Sequence, residues 1–188
     1  MKSMARLLGS LAVLAALVCI GGVDAAAQPA MQATEHQVKA AFVFKFGGYV
    51  EWPATAFEGP RSPLVIGVLG ASNVADELTR IAKGHTVDGR PVLVRKLRRD
   101  QSLAGLHVIY IGLDSGDSMG EVLAASRRLP ALMVTDSPSG IQLGSMINFV
   151  LVGDKLRFDV ALAPAEARGL KISSRLLAVA RTVQSATP

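Results

Sequence analysis

Three apolar runs restrict what this 188-residue chain can fold into more than any other feature. Leu64-Val-Ile-Gly-Val-Leu69, His107 to Gly112 and Ala131 to Thr135 are each of strand length, and none alternates regularly with polar residues. A strand with one wet face would alternate, so continuous runs predict strands buried on both faces of a mostly parallel sheet. Helical stretches separate them. Asn73 to Ala82 predicts a helix with Ser72 or Asn73 as N-cap, and with Asp76 and Glu77 in the first turn, where the helix dipole favours negative charge. A second helix is predicted from about Met119 to Leu129. Between the two, Val92 to Leu97 alternates as a strand after the turn residues Asp88-Gly89. The order of these elements predicts an α/β fold: a mostly parallel central sheet flanked by helices on both faces.

Both ends of the domain depart from that alternation. Ile147 to Val152 and Leu156 to Leu162 flank Gly153-Asp154-Lys155, which predicts a C-terminal antiparallel hairpin at one edge of the sheet, with Phe149, Phe158, Val160 and Leu162 on a half-buried ribbon. Ala165 to Arg168 reads as one helical turn closed by Gly169. Ser173 or Ser174 then caps a last helix that presents Leu176, Leu177, Val179, Ala180 and Val183 to the core. Upstream, Glu35 to Trp52 predicts a helix with Val38, Phe42, Phe46 and Tyr49 or Val50 at three- and four-residue spacing, stopped by Pro53. Gly47 and Gly48 are weak points in it, each costing about 1 kcal/mol relative to Ala. They would bend the helix or admit a close neighbour.

The first 27 residues have a different purpose. Lys2 and Arg6 form a short positive region, Leu7 to Ile20 form an apolar stretch too short to span a bilayer, and Ala25-Ala26-Ala27 is an A-x-A site before Gln28. A cleaved signal peptide over 1–27 is expected, followed by a tether over 28–34 and one domain over 35–184, with the product exported to the periplasm. An acylated Cys19 and an uncleaved anchor are the alternatives, and Val18 and Ala16 fit an acylation site poorly. Cleavage lowers the net charge from +5 to +4 and removes the sole cysteine. The mature chain then has no thiol for a disulfide or a redox switch.

Catalytic patterns are missing. His36, His85 and His107 stand far apart, without H-E-x-x-H or a partner cysteine, so neither a metal nor any other cofactor is expected. There is no P-loop, no G-x-G-x-x-G after a strand and no G-x-S-x-G elbow, and an enzyme is not expected. Asp114 and Asp136 follow apolar runs, where open α/β sheets place ligands, although Asp there also caps turns. Gly70-Ala71-Ser72-Asn73 opens a helix after a buried strand and could hold an anion on backbone N–H groups, or be a plain tight turn. Gly70, Ser72, Asn73 and Asp136 are therefore weak ligand-binding candidates. Arg95, Lys96, Arg98 and Arg99 form the densest charge run, with Arg127-Arg128 behind it. In an exported chain such cations would face anionic lipid or an acidic protein, not nucleic acid.

Aromatic residues are unevenly placed. Phe42, Phe44, Phe46, Tyr49, Trp52 and Phe57 are six of nine in the chain. Phe42 and Phe46 share a helix face, but Phe44 points about 200° away, so the helix is either covered on two sides or offers an apolar patch to a partner or a second copy.

The stretch Gln37 to Pro53, QVKAAFVFKFGGYVEWP, resembles the N-terminal motif of the YfiR-like family of periplasmic regulatory proteins. Gly144 to Val150, GSMINFV, followed by Lys155-Leu-Arg-Phe158, resembles its hairpin, and Gly169 to Leu177, GLKISSRLL, its C-terminal helix start. Val65 to Gly70 and Val87 to Val92 extend the likeness over nearly all of the mature chain. The resemblance implies a non-enzymatic regulator that binds the periplasmic sensor domain of an inner-membrane diguanylate cyclase, holds it inactive and lowers cyclic di-GMP and biofilm formation. It also implies sequestration by an outer-membrane lipoprotein, and a homodimer is admissible. Lys45 stands where the family usually has Asn, and Gly47-Gly48 where larger residues are usual. Candidate partner contacts are Phe44, Lys45, Tyr49 and Trp52 on the helix and Met146, Asn148 and Phe149 in the hairpin, although Asn148 also suits a turn-tying role. The other function class is a periplasmic small-molecule-binding module feeding a different membrane sensor such as a histidine kinase.

Overall fold

A computed structural model of the protein describes residues 33–113 and 118–185. The expected signal peptide, the tether up to Gln32, and Asp114 lie outside the described residues. Helix α1 is Glu35–Phe46, and a 3-10 turn over Gly47–Tyr49 leads into the short strand β1, Val50–Glu51. Then come β2 (Leu64–Leu69), α2 (Ser72–Ala82), β3 (Thr86–Val87), β4 (Arg90–Lys96), β5 (Val108–Ile111) and α3 (Ser118–Ala125). The remainder is β6 (Leu132–Thr135), β7 (Ile147–Val152), β8 (Lys155–Ala161), α4 (Ala163–Glu166), β9 (Lys171–Ile172), α5 (Ser174–Leu177) and β10 (Thr182–Gln184).

Eight strands form the central sheet in the order β10-β8-β7-β6-β5-β2-β4-β3, and helices flank it. Pairing is parallel from β4 through β2, β5 and β6 to β7, and antiparallel in the β7–β8 and β3–β4 hairpins. Every residue of β2, β5 and β6 is buried, which is why their sequences read as unbroken apolar runs. Successive β2 side chains point to opposite faces of the sheet. Leu64 lies against the end of α1, where a Cβ on Gly47 would come within 3.1 Å of it. Gly67, facing the other way, leaves room for Leu97 and Leu106, whose methyls would lie within 2.7 and 2.9 Å of an added Cβ.

Several boundaries differ from the expectations. The first helix stops at Phe46, because Gly47 tightens the chain into a 3-10 turn that lets Leu64 approach; Val50 and Glu51 are strand. Ala71 occupies the N-cap of α2 with extended φ, so Ser72 and Asn73 are the first helical residues and not its cap. The hairpin turns on Gly153-Asp154 alone, with Val152 opposite Lys155. It is not the sheet edge, since β10 pairs in parallel with β8 outside it. The last helix is a single turn. Val179 and Val183, 61% and 38% exposed, lie beyond it and not in the core, because the chain straightens to reach β8. At the Asp88-Gly89 turn both residues have positive φ, 48° and 75°, the geometry a two-residue β-hairpin loop demands.

The stretches that carried the resemblance meet in space. Phe42 and Phe46 of α1 lie 6.1 and 5.8 Å from the Phe149 ring and 5.6 and 5.2 Å from Phe158. Strand β1 pairs antiparallel with β9, Val50 opposite Ile172 and Glu51 opposite Lys171. The N-terminal motif is thus clamped by the hairpin on one side and the C-terminal segment on the other.

Candidate functional site

The aromatics of α1 divide between two environments. Lys39, Ala40, Val43 and Phe46 form its buried face, and Phe42 is half-buried beside Phe46. Phe44 points elsewhere, half-buried and edge-on to the exposed His85 at 6.3 Å. Lys45 and Tyr49 are exposed, and Trp52 is half-buried. These four can meet another protein. The hairpin candidates cannot: Met146, Asn148 and Phe149 are 0%, 3% and 2% exposed, so the M-I-N-F run is core. The Asn148 Oδ1 accepts from the Thr135 hydroxyl at 2.7 Å and the Ser137 N–H at 3.1 Å, while its Nδ2 donates to the Phe149 carbonyl. That knot fixes the turn after β6 and leaves Asn148 no role at the surface.

Next to Trp52 the segment over residues 53–63, which joins β1 to β2, folds into an aromatic stack. Phe57 lies flat on His107, 4.2 Å between ring centres, and edge-on to Trp52 at 6.1 Å. The Arg90 guanidinium sits 3.8 Å from the Phe57 centroid. The Val65 N–H donates to His107 Nδ1 at 3.1 Å, so the ring proton is on Nε2, which donates to the Ala56 carbonyl at 2.9 Å. Burial, opposed by that bond to Ala56 and assisted by the charge of Arg90, pushes the imidazole pKa below its ordinary value, and the ring stays neutral. A cavity of about 560 Å³ opens here, with Glu51, Trp52, Phe57, Glu58, Asp88 and Arg90 in its walls.

A second crevice, about 340 Å³, lies where the strand order reverses around β2, beyond the carboxyl ends of β2, β5 and β6. Gly70, Ser72 and Asn73 line it from one turn, and Asp136 from far along the chain. Gly112 faces the Gly70 turn so closely that a Cβ would fall 2.5 Å from the Gly70 carbonyl oxygen. Lys39, 6% exposed, bonds the carboxylates of Asp136 and Glu35, and the Tyr110 hydroxyl donates to Asp136 at 3.3 Å. Burial acts to lower the Lys39 pKa, but the hydrogen bonds and charges of Asp136 and Glu35 together outweigh it and hold the ammonium above the ordinary lysine value. Lys39 and Tyr110 escaped the sequence reading. A signal was present for Lys39, which shares the apolar face of α1 with Val43 and Phe46 at four- and seven-residue spacing. Among the described residues no three His, Cys, Asp or Glu side chains gather to hold a metal ion, and no helix is long and apolar enough to cross a membrane.

A family model described as YfiR/HmsC-like matches residues 36–181. Comparison with curated proteins gives no match. Among solved structures, a conserved domain protein from Vibrio cholerae O1 biovar El Tor superposes with a TM-score of 0.54 at 12% sequence identity, over 80% of this chain. The superposition spans 60% of that chain, and at this identity the likeness is one of fold.

Proposed function

The chain belongs to the YfiR/HmsC-like family, and from that premise we propose that it is a periplasmic regulator that binds the sensor domain of an inner-membrane diguanylate cyclase and holds it inactive, lowering cyclic di-GMP. The family is one of regulatory, non-enzymatic periplasmic proteins that act on a protein partner. The match over residues 36–181 carries the reading. Export by a signal peptide over residues 1–27 and a single working domain over 35–184 are part of the proposal, as is release through an outer-membrane lipoprotein. The contact surface proposed is the segment from Phe44 to Trp52, with Lys45 and Tyr49 exposed on it. Deleting the protein and measuring cellular cyclic di-GMP tests the reading. A rise, reversed by the wild-type chain but not by Tyr49→Ala, is expected; an unchanged level beside an intact cyclase refutes it.

One observation favours a second reading, a small-molecule module feeding another membrane sensor. Gly70, Ser72, Asn73 and Asp136 surround one crevice at the position where open α/β sheets bind ligands. Thermal shift against a panel of small metabolites tests it, since a ligand of the native state raises the melting temperature. A flat panel counts against it.

A further inference from the structure

Strand β4 outruns its outer neighbour. Its pairing with β3 covers only Arg90 and Pro91, and the sheet order ends at β3, so from Val92 to Lys96 the strand has β2 on one side and no strand on the other. The Leu97 N–H donates to the Val68 carbonyl at 2.8 Å. Peptide groups alternate in direction along a strand, so Arg95 also turns to β2, while the N–H and C=O of Val94 and Lys96 turn outward. Among the described residues these outward groups have no backbone partner. An open edge of this kind is a template for another strand.

A groove of about 550 Å³ runs beside that edge, with Ala82, Val92, Leu93 and Val94 in its walls and Lys83 and His85 among them. Leu93 is 46% exposed, an apolar side chain on the strand that nothing covers. His85 joins the groove to the partner surface, because the Phe44 ring stands edge-on to it at 6.3 Å. The far end of the edge is cationic on both faces of the sheet. Lys96 reaches Asp76 of α2 at 2.6 Å, and Arg95, the next residue along the strand, points to the opposite face. Arg98 and Arg99 follow directly, and all four are exposed. Arg98 has Asp100 at 3.8 Å, but Lys83, Arg95 and Arg99 have no ion pair among the described residues. Charges on an edge keep out unwanted strands. Here they are of one sign, so they repel basic strands and admit acidic ones. A second copy is disfavoured by the same rule, because a twofold pair would bring both cationic runs to one joint.

We infer that the free edge of β4 receives an extended, acidic segment of the protein partner, which adds a strand to the sheet through Val94 and Lys96 and lays an apolar side chain against Leu93. The inference rests on the reading above that the partner is a protein. Main-chain bonds supply the attachment and the cations select the sequence.

The test is an NMR titration of the purified exported protein with the capped peptide Ac-Glu-Val-Thr-Val-Glu-NH2. Saturable binding is expected, with shifted and slowly exchanging amides at Val94 and Lys96, and weaker by about tenfold for the peptide with lysine in place of glutamate. Two N-methylated forms separate strand pairing from charge attraction: methylation of both valines or of the threonine should abolish binding in one form and spare it in the other, because only alternate N–H groups face β4. Proline is tolerated where an N–H points off the sheet, so Val94→Pro should fold and lose the peptide. Arg95→Glu/Arg99→Glu, exposed and outside the core, should lose it as well, and Arg175→Glu on α5 should not. Absence of binding, equal binding of the lysine peptide or equal binding of the two methylated forms overturns the inference. Protection of the Val94 and Lys96 amides in a concentration-dependent dimer without peptide gives the edge to a second copy and overturns it too. In cells, Arg95→Glu/Arg99→Glu should fail to repress cyclic di-GMP, and full repression by it overturns the assignment of the edge to the partner. An unchanged cyclic di-GMP level in the deletion strain refutes the cyclase reading separately, because the peptide titration needs no cyclase.

Discussion

Replacing Asp136 by Asn leaves Lys39 buried with half its counter-charge, and the consequence can be worked out from the structure. The Lys39 side chain is 7% accessible and that of Asp136 16%. Removing one member of a buried ion pair costs about 3–5 kcal/mol, because the survivor stays charged in a place where water cannot reach it. Glu35, whose side chain is 49% accessible, still reaches the ammonium, so the loss should sit at or below the lower end, about 2–3 kcal/mol. In a domain of this size that lowers the melting temperature by about 4–12 °C. Urea unfolding should show a lower midpoint with an unchanged slope. Converting both partners to apolar residues of similar size, Lys39→Met with Asp136→Leu, should recover most of the loss, giving a coupling of about 1–2 kcal/mol in the double-mutant cycle. Additivity within about 0.5 kcal/mol would refute the argument, as would an Asp136→Asn protein that melts with the wild type. The same pair fixes an alkaline limit. The folded pKa of Lys39 is raised above 10.5, so its stabilisation is complete below that value and fades as pH rises through the folded pKa.

His107 sets the acid limit by the opposite sign. Its folded pKa is lowered from 6.5, so its stabilisation is present above 6.5 and fades as pH falls from there through the folded value; urea midpoints at pH 7.5 and 5.5 should differ in the wild type and less so in His107→Gln. Gly112→Ala should destabilise by about 1–3 kcal/mol, since the new methyl meets backbone it cannot displace. Gly120→Ala in α3, where nothing lies within 4 Å, should instead stabilise by up to about 1 kcal/mol, and thermal melts distinguish the two. Phe149→Ala should cost about 3–5 kcal/mol in urea unfolding, whereas Tyr49→Ala should melt normally and fail only in repression.

The role of Lys45 shows where sequence and structure divide. Its exposure was legible, because a cation on the far side of the α1 apolar face has water as its natural environment. Lys39, six residues earlier, has the same chemistry but the opposite fate, since its counter-charge Asp136 stands 97 residues away in the chain. The hairpin was readable as a hairpin from its turn and its two β-prone runs, yet not as interior. Phe149 is buried because α1 brings Phe42 and Phe46 over it, and β8 is covered because β10 returns to its outer edge.

By itself the sequence determined what depends on neighbours along the chain: unbroken apolar runs for strands buried on both faces, a turn at 88–89, a hairpin turning near 153, and a family whose motifs cover the domain. The tertiary structure alone decided which distant groups share a site. Glu51, Glu58 and Asp88 at one cavity, and Lys39, Gly70, Tyr110 and Asp136 at another, are gathered by strand order and crossover connections. Charge and burial at a site are properties of that gathering, and residue spacing within any one segment carries no record of it.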